Sequence, residues 1–174
     1  MNVDGVYLEL YGRIPPLVHA AVDGLDRESL TTSPVPGANP IGWLVWHLTR
    51  VQDHHVSEIL DEDQLWIGGG WAARFGRDAE PNDVGFGHSA DEVVAFDPVG
   101  AALLVEYHEV VDARTRSYLA TLTGTDLDRV VDRRWDPPVT LAVRLVSVAD
   151  DSLQHLGQAL YARGIVDAGW RFPA

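Results

Sequence analysis

The sequence predicts an all-α fold, most simply a four-helix bundle, on two observations. Four long segments carry apolar residues at helical spacing, and no segment alternates apolar and polar residues convincingly enough to make a strand. There are no internal repeats and no low-complexity tract, so the 174 residues read as a single domain, 1–174, large enough to bury a core without staples.

The first segment, Val3 to Leu25, places Val6, Leu10, Ile14, Leu17, Val18, Ala21 and Val22 on one face. Pro15 and Pro16 interrupt it, and because proline removes a backbone donor and crowds the preceding turn, a kink or a break near Arg13 and Ile14 is expected rather than two separate elements. The second helix starts with Asn39 as N-cap and Pro40 at the first helical position, and runs to about Leu60. Periodicity is then lost from Asp61 to Asp97, a long crossover loop holding GGGW, FGRDAEPNDVGFGH and a short helical turn after Ser89. A loop of that length lets the second and third helices run parallel. The third helix spans Pro98 to about Leu122, with Asp97 as its cap. Thr123 to Thr140 makes an extended excursion, and the fourth helix runs from Leu141 to Arg163 with Gly164 as a C-terminal stop. The tail from Ile165 to Ala174 is expected to pack back through Trp170 and Phe172.

Bulk properties narrow the function. A formal charge of −13, from 26 acids against 13 bases, argues against a nucleic-acid partner, whose phosphates need clustered Lys and Arg. No apolar run approaches the roughly 18 to 20 residues of a membrane span, and Met1 to Gly5 leads into no signal-like apolar region, so a cytoplasmic protein is expected. Cysteine is absent, which excludes thiolate metal sites and a cysteine nucleophile. Any thiol chemistry must use sulfur brought by a small molecule.

The chemistry-bearing residues fall in two stretches. On the second helix Trp43, His47, Arg50 and His54 recur in one stripe; on the fourth, Asp151, His155 and Gln158 do the same. One histidine plus an Asp-x-x-x-His pair supplies three metal ligands and leaves positions open, the pattern of a catalytic rather than a closed structural site. Spacing alone does not separate this reading from hydrogen-bonded core histidines, and His19, His88 and His108 are assigned to the latter. His54, two turns along from His47, reads as an outer partner or substitute ligand, and His55 as exposed. Trp71, after three glycines in a mobile loop, reads as a ring that closes over a ligand. Arg50 and Arg144 either orient an anion or pair with the abundant acids. The three glycines are not a phosphate loop, since no Lys-Ser/Thr follows them.

PGANPIGWLVWHLTRVQD and DDSLQHLGQALYARG together resemble the DinB-like superfamily, in particular the branch holding mycothiol-dependent S-transferases and the N-terminal domain of mycothiol-dependent maleylpyruvate isomerase. The resemblance implies an up-down-down-up four-helix bundle, a divalent metal held by His47, Asp151 and His155, and room for a homodimer. Most of the superfamily uses three histidines and the isomerase His, Glu and His; here the middle ligand is Asp151, one methylene shorter than Glu.

The expected activity is a zinc-dependent thiol S-transfer in which mycothiol, a sugar thiol, is activated as a metal-bound thiolate for attack on an electrophile, with Trp43, Arg50, Trp71 and Gln158 contacting substrate. The alternatives are a metal-dependent hydrolase or isomerase of the same superfamily and a non-catalytic metal-binding stress protein. Two His and one carboxylate also suit other divalent metals.

Overall fold

A computed structural model describes residues 2–172, so Met1 and the last two residues of the tail lie outside it. The fold is predominantly helical with one small sheet. In chain order the elements are α1 (Val3–Tyr11), α2 (Ile14–Val22), α3 (Arg27–Thr31), α4 (Ile41–Leu60), α5 (Leu65–Gly68), α6 (Trp71–Arg74), α7 (Ala90–Val94), α8 (Ala101–Leu119), a 3₁₀ turn (Gly124–Asp126), β1 (Val130–Asp132), β2 (Val139–Thr140) and α9 (Leu141–Val166). α4 packs on α9 and α8, and α2 packs on α9, α8 and α4. No helix among the described residues is long and apolar enough to cross a membrane.

Several boundaries differ from those the sequence suggests. The expected interruption near Arg13 and Ile14 is a full break that leaves two separate helices: Gly12 N–H closes α1 on Leu8 O (2.9 Å), and α2 restarts with Pro15 and Pro16 in its first turn, where proline's missing donor is harmless. The short α3, too brief for periodicity to reveal, is capped by Asp26, which accepts from Ser29 N at 2.8 Å. Pro40, not Asn39, occupies the N-cap of α4. α8 begins at Ala101 instead of Pro98, because Asp97 Oδ1 accepts from Val99 N (2.9 Å) and Val99 takes a left-handed φ of 64°, turning the chain first. α9 continues through Gly164 to Val166, and Val166 packs against the core. The predicted excursion forms an antiparallel pair, β1 with β2, matching Val130 to Thr140. Thr140 then caps α9 through Val143 N. In the tail Trp170 lies against the Arg163 guanidinium, but Phe172 stays exposed.

The largest correction concerns residues 61–97. This is not a mobile loop but a chain segment bearing α5, α6 and α7, anchored by the buried side chains of Trp66, Trp71, Phe75, Val93 and Phe96. Ser89 and Glu92 form the capping box of α7. α5 is fixed by Asp53 of α4, which accepts from Leu65 N (3.0 Å) and Trp66 N (2.8 Å). The same fully buried carboxylate accepts from Tyr107 Oη (2.7 Å) and Arg114 Nη2 (2.5 Å), which ties α8 to the segment as well.

Candidate metal centre

α4 and α9 run antiparallel, since residues later in α4 meet residues earlier in α9: His47 faces Asp151, and His55 faces Arg144. At the first of these levels three side chains converge. Asp151 Oδ1 lies 4.0 Å from His47 Nε2 and 3.5 Å from His155 Nε2, and the two imidazole rings meet edge to face with centroids 4.7 Å apart. One ligand atom from each falls within 4.8 Å of the others.

The hydrogen bonds around the cluster decide its chemistry. His47 Nδ1 bonds the carbonyl oxygen of Val84; a carbonyl only accepts, so Nδ1 carries the proton and Nε2 keeps its lone pair facing Asp151. His155 Nδ1 donates to Gln158 Oε1 at 3.0 Å, which leaves its Nε2 as the atom that faces Asp151 Oδ1. Asp151 Oδ2 is buried without a hydrogen-bond partner. Two imidazole nitrogens turned toward Asp151 Oδ1, and the other oxygen of that carboxylate buried without a partner, suit a divalent cation, and outer hydrogen bonds that fix the imidazole tautomer are a recurrent part of such sites. The residues therefore fit a metal. The two imidazoles differ electrostatically: burial pushes the His47 pKa down, favouring the neutral form a ligand needs, whereas the adjoining Asp151 carboxylate raises that of His155, so a cation there would displace a proton from it.

Loop residues that spacing arguments passed over shape the pocket around His47. Trp43 stacks on its imidazole, centroids 4.7 Å apart and planes at 12°, and the Trp43 indole N–H donates to His88 Nδ1 at 3.3 Å. His88 Nε2 in turn donates to Asp83 Oδ1 at 2.9 Å, so His88 is not a bystander but the brace of Trp43. Gly85 has φ +88°, and a Cβ there would stand 2.9 Å from His47 Nδ1 and 2.9 Å from the Trp46 ring. Only glycine serves both demands. The signal for these residues was the GFG within DVGFGH, but nothing local linked it to His47.

The remaining expected site residues are dispersed. Arg50 does not face the cluster: its buried guanidinium donates to Gln64 Oε1 (2.9 Å), Asp83 O (3.1 Å) and Pro81 O (3.2 Å), strapping the 61–97 segment to α4. Trp71 is a buried core ring against Tyr107 at 5.2 Å, covered by Arg74, and not a flap. Gln158 touches His155, as above. His54 belongs to a second group with His55 and Glu58, and its Nδ1 accepts from Gln64 Nε2 at 3.0 Å. His55 is half-buried rather than exposed, since Arg144 Nη1 donates to its Nδ1 at 2.5 Å. Arg144 also pairs with Asp132 at 2.8 Å, which resolves its role in favour of partnering acids. A guanidinium already occupies the mouth of this second group, so a cation is not drawn to it.

A helical fold in which antiparallel helices bring a His–Asp–His set into one cluster defines a class of helical proteins with a candidate metal centre. Residues 16–168 match the Mycothiol-S-transferase family, and the chain belongs to that family, a DinB-like one. A crystal structure of a conserved protein of a locus from Enterococcus faecalis superposes with a TM-score of 0.88 and 31% identity, over 97% of this chain and 99% of that one. A search of curated proteins returns no match.

Proposed function

We propose that this protein is a metal-dependent S-transferase that joins mycothiol to an electrophilic small molecule, with His47, Asp151 and His155 holding a divalent ion, zinc being the best fit to two imidazoles and one carboxylate. In this reading the whole chain is one cytoplasmic domain, and α2, α4, α8 and α9 make an up-down-down-up bundle, to which the antiparallel α4 and α9 lend support. The observation that carries the proposal is that the Nε2 atoms of both histidines converge on one carboxylate, their Nδ1 atoms being engaged elsewhere, within a chain of the Mycothiol-S-transferase family.

When bound, the ion supplies positive charge that lowers a thiol's pKa, so that thiolate is present at neutral pH. The protein's own residues do the rest. Val84 O and Gln158 Oε1 hold the imidazoles in tautomer and orientation. Asp151 contributes one negative charge, which tempers the field felt by the sulfur. Trp43 covers one face of His47 and keeps water from it. Farther along the groove, Arg134, Arg144, His54 and His55 line a cavity of about 480 Å³ whose donors and acceptors suit the hydroxyls of a sugar thiol. In the transfer, sulfur bonds to the electrophilic carbon while that carbon's bond to its leaving group breaks. The leaving group departs with the electron pair, and the thiol proton passes to solvent.

The test is mycothiol consumption with 1-chloro-2,4-dinitrobenzene by protein purified without nickel resin. Loss of turnover on chelation and in His155→Ala, restored by zinc only in the former, is the expected result. Turnover that persists in both rejects the proposal.

A further inference from the structure

A second cavity opens on the opposite side of the metal centre, and its chemistry is unlike the first. It has a volume of about 420 Å³, within the range of small-molecule pockets, and lies between the segment before α4 and the last turns of α9. Val35, Ala38, Asn39, Leu44, Tyr161 and Ile165 line it, together with Gln158. Leu44 precedes His47 by three residues on α4, and Gln158 follows His155 by three on α9, so the cavity adjoins the cluster at about one helical turn. Gln158 is shared: its Oε1 holds the His155 imidazole, while the residue also forms part of the cavity wall.

The lining is uncharged. None of the side chains around this cavity is Asp, Glu, Lys, Arg or His, in a chain whose charged residues make up 22% of the total. Val35 and Tyr161 nevertheless remain 53% and 76% exposed, apolar surface turned to solvent beside a reactive centre. The charged cavity lined by Arg134 and Arg144 lies the other way along the α4–α9 groove, reached from Asp151 by going back seven residues to Arg144, roughly 10 Å of helix. The metal centre thus sits between a polar end and an apolar end.

We infer that the apolar cavity is the electrophile subsite and that it selects an uncharged, predominantly apolar, aromatic-sized molecule, presented to the cluster past Gln158. This deepens the S-transferase reading and rests on it. A carboxylate-bearing electrophile is disfavoured there, because its charge would leave water for a wall with no cationic side chain, whose polar side chains are Asn39, Gln158 and Tyr161.

The experiment measures binding rather than turnover, using full-length protein and the unreactive probes 1,3-dinitrobenzene (uncharged) and 3,5-dinitrobenzoate (anionic), followed by saturation-transfer NMR and titration. Dinitrobenzene is expected to bind at least tenfold more tightly than dinitrobenzoate. Ala38→Trp, which fills the cavity from a surface segment, and Ile165→Asp, which places a charge in its wall, are each expected to weaken dinitrobenzene binding at least tenfold with unchanged zinc affinity and unchanged melting temperature. Equal binding of the two probes, or dinitrobenzene binding that survives both substitutions, overturns the inference. So does a dimer by sedimentation that Ala38→Trp dissociates in the absence of probe binding, since that assigns the face to a second copy of the chain. If the probe behaves as expected while mycothiol is not consumed with any electrophile, the cavity stands and the S-transferase reading fails.

Discussion

His47 on α4 donates its Nδ1–H to the backbone carbonyl of Val84, 37 residues further along the chain. That single bond joins the helix bearing the first candidate ligand to the segment that the sequence presents as a crossover loop, and it makes the geometry of residues 83–88 part of the candidate metal centre.

Gly85→Ala tests this coupling. The added Cβ would lie 2.9 Å from His47 Nδ1, at a φ of +88° that alanine adopts only with strain. The imidazole and the Val84 carbonyl have to separate, and zinc affinity is expected to fall about 10- to 100-fold, the range seen when an outer hydrogen bond to a ligand is lost. A competition titration with a chromophoric chelator reads the change. Affinity unaltered by the substitution would show that Val84 does not position His47.

Part of this was legible in the residues. Helical spacing places His47 on one long helix and Asp151 with His155 on another, and it took the resemblance of the two stretches to the DinB-like superfamily to join them as one candidate metal set; the caps read from sequence, Asn39 and Asp97, shift by a residue or more in the structure. What could not be read was long-range. Trp71 and Arg50 fit a ligand site by composition, but Trp71 is drawn into the core by Tyr107, and Arg50 is consumed by Gln64, Pro81 and Asp83. His88 and Gly85 matter only because the fold returns them to α4. Periodicity reports the faces of long helices; it is silent on segments as short as α5 and α6, whose stability comes from partners elsewhere.

Asp53→Ala is expected to be severely destabilising. The carboxylate is fully buried and accepts from Leu65 N, Trp66 N, Tyr107 Oη and Arg114 Nη2, with Arg50 Nη1 at 3.4 Å. Removing it leaves two backbone donors and the Tyr107 hydroxyl without their acceptor and two guanidinium groups without their counter-charge, a loss of about 3 to 5 kcal/mol. Urea unfolding measures it, and a change of under about 1 kcal/mol would show that the network is replaced by water.

Two groups on α8 set opposing pH dependences. His108, fully buried, has its pKa driven down to about 4 by burial, with nearby His19 adding to the shift; Asp112 is raised to about 6 by burial, opposed by Arg116. Between about pH 4 and 6.5 the unfolded chain binds the His108 proton and the folded one does not, so this residue makes stability rise with pH. For Asp112 the folded state holds the proton over about pH 4 to 6, so its contribution falls as pH rises. Each amounts to roughly 3 kcal/mol at about 1.4 kcal/mol per pKa unit, and the two largely cancel. Asp112→Asn should therefore unmask a stability that climbs from pH 4 to 6.5 and exceeds the wild type at pH 7. Denaturation midpoints across that range check it; parallel profiles for variant and wild type would contradict the assignment.

The central claim is that His47, Asp151 and His155 hold the metal. Metal content per chain, determined by mass spectrometry on protein reconstituted with zinc and desalted, tests it most directly across wild type, His47→Ala, Asp151→Asn, His155→Ala and His54→Ala. The prediction is one zinc per chain in the wild type and in His54→Ala, and well under one in each of the other three. Retention of zinc by the three cluster variants, or its loss in His54→Ala alone, would contradict the account.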